Sequence, residues 1–513
     1  MASVFKSLAK VGSNTMLSRV LGFIRDLVLA HTFGASAGTD AFFVAFKIPN
    51  FLRRLFAEGA FSVAFVPVLT EYKEKRSFEE LKLFVDRVAG TLGAALLLVT
   101  LVGVVGAPLL VMLFAPGFIG DGGKLALAAD MLRLTFPYLF FISLTAFAGG
   151  ILNTHNRFGV PAFTPVLLNV ILISCALWLS PQMERPVVAL AWGVLFAGVA
   201  QFLFQLPFLH QIGLAPRFRL APKDEGVRRI GRLMLPALFG VSVTQLNLLL
   251  DTLIASFLVT GSISWLYYSD RLMEFPLGIL GVGLATVILP HLSKKHATES
   301  PEGFSHTIDW ALRWVLLLGL PASVGLLLLA GPMIATLFQS DVFTATDVAM
   351  SQRSLMAYSL GLVPFILIKV LAPGYYARQD TRTPVKIAVI AMASNMLLNI
   401  ILVFPLAHAG LALATTLSAC LNAFLLYRGL RRELVYVPAD GWPLLILRGA
   451  FASIVMGAVL FWGGGDLDSW VSMETWERVM RLFELILAGG AAYFVVLFVV
   501  GIRLRHFRGS GVG

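Results

Sequence analysis

The sequence predicts an all-α polytopic membrane protein of about fourteen transmembrane helices, built as two six-helix lobes related by a parallel repeat plus two extra C-terminal helices. Composition is the first ground: 58% of the 513 residues are hydrophobic and 13% charged, with a mean hydropathy of +0.83, more apolar surface than a soluble domain can hide. Periodicity is the second, because the apolar residues fall in runs near the ~20 residues that a bilayer-spanning helix needs. The third is self-similarity at a shift of about 224 residues.

Apolar runs between charged and Pro/Gly clusters place spans at 12–33, 40–70, 88–115, 131–153, 161–181 and 187–210. A second set covers 232–258, 265–293, 310–339, 353–376, 384–405 and 407–428, and a last pair 443–464 and 482–503. The lobes are thus expected at 1–215 and 216–430, with the additional helices in 431–513. Alternate loops are basic: Lys73, Lys75, Arg76 and Lys82; Arg217, Arg219, Lys223, Arg228 and Arg229; Lys294 and Lys295; Arg378 and Arg382; Arg428, Arg431 and Arg432; and the tail at Arg503, Arg505 and Arg508. Cytoplasmic loops collect Lys and Arg, so both termini are assigned to the cytoplasm. Lys6 and Lys10 precede a segment holding Arg19, Arg25 and Asp26, too polar for a cleavable signal, so the first helix is expected to be retained. The net charge of +11 is dispersed among apolar spans, which argues against nucleic acid as a partner. Cys175 and Cys420 lie in apolar runs and imply neither a disulfide nor a metal site.

The repeat superimposes Phe42-Phe43 and Lys47 on Tyr267-Tyr268 and Arg271, Leu113-Phe114 on Leu337-Phe338, Asn156 on Gln379, and Pro67 and Pro161 on Pro290 and Pro384. Six spans per copy keep both copies in one orientation.

Ionisable residues inside spans cost several kcal/mol unless they face protein or water. Span 1 carries Ser18, Arg19, Arg25 and Asp26; span 2 carries Asp40, Lys47, Arg54 and Glu58 on one helical face with Arg53 beside them; span 8 carries Asp270, Arg271 and Glu274. Ion pairing of Arg54 with Glu58 and Arg271 with Glu274 is one expectation. The other is a cavity in which arginines outnumber acids and bind an anion, and the planar guanidinium fork suits a diphosphate. A cation exporter would show the opposite balance. Asp251, Asn395, Asn399 and Thr415 offer oxygen ligands for sodium, against a plain role for the asparagines in interhelical hydrogen bonding. Gly149-Gly150, Pro49, Pro236, Gly278, Gly281 and Gly283 are candidate bends. No Walker loop, nucleophile elbow or metal-ligand motif is present, so no bond chemistry and no cofactor is expected beyond coupling to membrane potential or sodium.

The strings Thr39-Asp40-Ala41-Phe42-Phe43-Val44-Ala45-Phe46-Lys47-Ile48-Pro49-Asn50, Ser18-Arg19-Val20-Leu21-Gly22-Phe23-Ile24-Arg25-Asp26, Tyr267-Tyr268-Ser269-Asp270-Arg271-Leu272-Met273-Glu274 and Ala372-Pro373-Gly374-Tyr375-Tyr376 resemble the MurJ/MviN lipid II flippases of the multidrug/oligosaccharidyl-lipid/polysaccharide exporter superfamily. The resemblance spans essentially the whole chain. It implies a cationic cavity between the lobes, a groove for the polyprenyl tail on the last two helices, and alternating access that moves lipid II, an undecaprenyl-diphosphate-linked disaccharide pentapeptide, from the cytoplasmic to the periplasmic leaflet of the bacterial inner membrane for cell-wall synthesis. Arg19, Arg25 and Arg271 would contact the diphosphate, with Arg53 and Lys47 adding to the binding surface. Ser18, Asp26, Asp40, Arg54, Glu58, Asp270 and Glu274 would serve as gating or structural polar groups. The partners implied are lipid II and membrane lipids, with the chain acting as a monomer. A drug or cation antiporter and a flippase for another lipid-linked oligosaccharide are the alternatives within the superfamily, and a non-transporting scaffold the alternative outside it.

Overall fold

The computed structural model describes residues 2–297 and 300–502, and among them every regular element is a helix. Two compact units divide the chain, Met1–Ser264 and Trp265–Gly513. Ten helical stretches of the described residues are long and apolar enough to cross a bilayer. Large apolar side chains such as Val105, Phe404, Trp462 and Val499 stand almost fully exposed, which water would penalise and lipid would not.

In the first unit, α1 (Ala2–Phe33) packs along α8 (Gly159–Ser174). Between them in sequence come α2 (Ala37–Leu52), α3 (Ser62–Lys75), α4 (Phe78–Val105), α5 (Ala107–Phe114), α6 (Lys124–Thr135) and α7 (Tyr138–Thr154). After α8 follow α9 (Val188–Gln211) and α10 (Glu225–Ala255). The helix through 37–75 is unbroken, but its middle, Arg53–Phe61, is π-helical. Pro49 sits just before this stretch. Having no N–H, it cannot bond the carbonyl of Ala45, and that acceptor is taken by the Thr135 hydroxyl of α6 at 2.8 Å. A cluster of Phe61, Phe65, Phe84 and Phe147 fills the core where α3, α4 and α7 meet.

The second unit begins within α11 (Ser262–Pro276) and continues through α12 (Gly283–Ala297), α13 (Pro301–Trp314), α14 (Leu320–Leu328), α15 (Ala330–Phe338), α16 (Ala345–Ser359) and α17 (Leu362–Tyr376). The run Arg382–Arg432, α18, holds the expected spans 384–405 and 407–428 with no loop between them. They join across a kink at Ala407, whose φ of 50° and ψ of −130° are strained for a residue with a Cβ. Then come α19 (Trp442–Gly464), α20 (Leu467–Ser472) and α21 (Thr475–Val499).

The duplication is visible in irregularities, which are harder to match by chance than helices. Of the four π-helical stretches among the described residues, Leu277–Val282 starts 224 residues after Arg53–Phe61, while Cys175–Leu179 and Val315–Gly319 are not paired by the repeat. The break at Gly106 between α4 and α5 recurs at Leu329 between α14 and α15, with nearly equal backbone angles. Asn156 and Gln379, paired by the repeat, are both left-handed, at φ 59° and 63°, and close the same turn after α7 and α17.

Candidate functional site

On α1 the polar residues face different ways. Arg19 is exposed, whereas Arg25 and Asp26 turn into the unit and are buried. Arg25 donates from Nε and Nη2 to Asp26 Oδ1 at 3.0 and 2.7 Å, and from Nη1 to Asn169 Oδ1 of α8 at 3.0 Å. Asn169 in turn donates to the Ser18 carbonyl at 3.0 Å, and it lies in van der Waals range of the position of Gly22 on α1. Ser18 thus contributes its backbone, and Arg25 is one arm of a clamp between α1 and α8.

Along span 2 the expected stripe is only partly maintained. Lys47 donates to Thr252 Oγ1 of α10 at 2.6 Å and Arg53 Nε to Asn50 Oδ1 at 2.9 Å; both side chains are half-buried, and Arg54 is exposed. The side chain of Glu58 lies outside the described residues, as does the tail at Arg503, Arg505 and Arg508. The facing arithmetic for this span assumes 3.6 residues per turn, and the π-helical stretch re-aims whatever follows Leu52.

Asp40 serves a different end. At 1% exposure, it accepts from Gly261 N at 2.8 Å, Ser264 N at 2.9 Å and the Ser264 hydroxyl at 2.6 Å, capping the start of α11 with a carboxylate. Lys124, equally buried, completes the clasp at 3.4 Å. Asp40 and Ser264 are 224 residues apart, the shift of the repeat.

In the second unit Arg271 is half-buried, donates to Glu274 Oε2 at 2.7 Å and to the Tyr267 hydroxyl at 3.3 Å, and lies over the Tyr267 ring. Asp270 beside it is half-buried. The expectation of uncompensated guanidinium groups is therefore corrected at Arg25 and Arg271: each has a carboxylate close in its own helix, the neighbour or the residue three along, and for the buried Arg25–Asp26 pair the low dielectric strengthens the attraction.

The oxygen-rich cluster is assembled in part. Asn399 donates to Asn395 Oδ1 at 2.9 Å, and Asn395 to Thr415 Oγ1 at 3.3 Å, so the two halves of α18 are joined by these side chains. Asp251, half-buried, belongs to the first unit. Among the described residues no group of three His, Cys, Asp or Glu side chains is arranged to hold a metal ion. An apolar groove of about 310 Å³ opens beside the last helices, lined by Leu329 and Met333, Met456 and Leu460 of α19, and Gly489 and Tyr493 of α21.

Two further acids escape sequence reasoning. Asp86 in α4 accepts from Arg217 N at 2.7 Å and pairs with Lys82, whose ammonium also reaches the Ala215 carbonyl. Asp309 in α13, 223 residues on, accepts from Trp442 Nε1 at 2.7 Å, the Tyr436 hydroxyl at 2.8 Å, Arg313 Nε at 2.7 Å and Ala439 N at 3.1 Å. Burial and this carboxylate push the Tyr436 phenol well above its ordinary pKa, so it stays a donor. Each acid ties down the segment that follows the sixth span of its copy. Matching the two acids through the repeat would have found them.

A duplicated, all-helical fold with ten stretches long and apolar enough to cross a bilayer defines the class of multi-pass membrane proteins built from two copies of one unit. The sequence model described as "Lipid II flippase MurJ" matches residues 29–480. The chain is 50% identical to the "Probable lipid II flippase MurJ" of Vibrio cholerae over 99% of this chain and 98% of that one, and 44% identical to the "Lipid II flippase MurJ" of Burkholderia cenocepacia over 99% of both. It is similar to a solved structure, "Lipid II flippase MurJ, inward closed conformation", with a TM-score of 0.81 and 28% identity over 97% of this chain and 99% of that one. A likeness of fold alone links it to an inward-facing MATE transporter, with a TM-score of 0.69 at 15% identity over 83% of this chain and 98% of that one. The chain belongs to the MurJ lipid II flippase family.

Proposed function

We propose that this chain flips lipid II from the cytoplasmic to the periplasmic leaflet of a bacterial inner membrane, as a single multi-pass chain with both termini on the cytoplasmic side, and that no bond is made or broken in the process. The observation that carries the proposal is the set of cationic side chains, Arg19, Arg25, Arg53, Lys47 and Arg271, on α1, the helix through 37–75 and α11, in a chain of this family. A sugar-peptide headgroup cannot cross hydrocarbon unaided, because each polar group stripped of water there costs several kcal/mol. A polar surface that opens to one side and then the other removes that cost, and arginine forks select the diphosphate. Arg19, exposed, makes the first contact; Arg271, held half-open by Glu274 and Tyr267, exchanges its carboxylate for phosphate oxygens. The groove beside α19 and α21 suits part of an isoprenoid tail, since its lining is almost wholly apolar and Gly490 leaves open space beside it.

The energy source in this proposal is the membrane potential, worth about 2.3 kcal/mol per charge per 100 mV. Sodium at Asn395, Asn399 and Thr415 is the second source considered, supported by the Asn395–Thr415 contact. The test is translocation of labelled lipid II by purified protein in vesicles. Loss of one charge-assisted contact is worth about 1.5–3 kcal/mol, so Arg19→Ala and Arg271→Ala should each weaken substrate binding by roughly 10- to 100-fold with insertion intact. Full activity in both variants overturns the proposal. Dependence on an imposed potential alone, with no response to a sodium gradient, removes the sodium site.

A further inference from the structure

Lys369 is a cation that the foregoing leaves unexplained. It lies in α17, within the apolar stretch Ala345–Tyr376, and makes no hydrogen bond or ion pair among the described residues. Its side chain is exposed, on the least buried side of the helix with Phe365, Ala372 and Tyr376, spaced four, three and four residues. That side borders the π-helical stretch Leu277–Val282: the Lys369 stem leans across Gly281, its Cγ 3.5 Å from where a Cβ on Gly281 would sit. A bare ammonium in lipid at mid-helix is strongly disfavoured. Escape along the helix is also poor, because seven residues separate Lys369 from Tyr376 at the end of α17, roughly 10 Å at 1.5 Å per residue, beyond the reach of its stem. An ammonium so placed is stable against water and an anionic guest.

Arg271 stands on the same continuous helix as Gly281, ten residues earlier, or roughly 15 Å along the axis. Two cations at that separation suit a ligand with two separated anionic groups. Taking the lipid II reading above as its basis, we propose that Lys369 binds a carboxylate of the peptide while the arginines hold the diphosphate. The division follows from chemistry: the guanidinium fork matches phosphate oxygens in pairs, whereas a compact, strongly hydrated ammonium serves as a point charge for a single carboxylate. The equivalent position in the first copy is Thr145 or Ala146, so the site belongs to the second unit alone.

The experiment compares two substrates in vesicles, lipid II and an analogue that carries the diphosphate and sugars but no peptide. Lys369→Gln should raise KM for lipid II about tenfold, leave KM for the peptide-free analogue unchanged, and be rescued by Lys369→Arg. In a Cys175→Ala, Cys420→Ala background, Lys369→Cys should react with a water-soluble maleimide and be protected by lipid II. Equal effects on both substrates, an unchanged KM, or a cysteine inert to the reagent would overturn the proposal. Wild-type protein that flips neither substrate would instead overturn the lipid II reading on which it rests.

Discussion

Arg19 and Arg25 are six residues apart on one helix and have different physical lives. Arg25 is buried with Asp26 and Asn169, so truncating it strands a carboxylate in a low dielectric, a loss of about 3–5 kcal/mol of the kind that removing one partner of a buried pair brings. Arg19 is exposed and its truncation should leave stability within about 0.5 kcal/mol. Thermal unfolding in detergent should therefore separate the two variants, Arg25→Ala melting well below wild type and Arg19→Ala with it, even though both lose transport. Asp40 and Lys124 follow the same logic. The double variant Asp40→Ala, Lys124→Met should cost clearly less than the sum of the singles, because Lys124→Met alone leaves the Asp40 charge buried without its ion partner and Asp40→Ala alone leaves the buried Lys124 with only the exposed Asp121 at 3.6 Å. Additive losses would show that the pair is not coupled.

At the scale of elements, the helix through 37–75 shows how a proline is accommodated in a span. Pro49 leaves the Ala45 carbonyl to Thr135, so Thr135→Val should cost about 1–3 kcal/mol by orphaning a buried acceptor. With Pro49→Ala, the restored N–H can take that carbonyl, and Thr135→Val in this background should cost much less; a double-mutant cycle on unfolding free energies reads the difference. Most of the helical layout was legible, since long apolar runs bounded by charge leave few choices in a membrane. The π-helical stretches were not, because Pro49 before Arg53–Phe61 and Gly278 and Gly281 within Leu277–Val282 mark candidate bends without specifying a π register; tertiary packing decides it. The side chains that follow Leu52 were therefore assigned to a helical face on a period that the backbone does not keep.

For the whole molecule, the duplication was legible from a few aromatic, charged and proline landmarks, and it extends to features no landmark revealed. Charged residues near the start of a span beside a basic loop read as solvated, which hid Asp86 and Asp309; the repeat turns them into one structural rule, a buried acid that clasps the segment after the sixth helix of each copy. The rule makes a local prediction with a built-in control. Asp86→Asn weakens the hold on 215–219, and Asp309→Asn the hold on 436–442, each by removing the charge that strengthens the bonds from its donors. Segments with few buried contacts open at low free energy, so limited proteolysis in detergent should cut Asp86→Asn faster only near Arg217 and Arg219, and Asp309→Asn faster only near Val437 to Asp440. Cleavage that rises at both sites in either variant would mean general loosening of the fold, and unchanged cleavage in both would mean that the acids do not hold these segments.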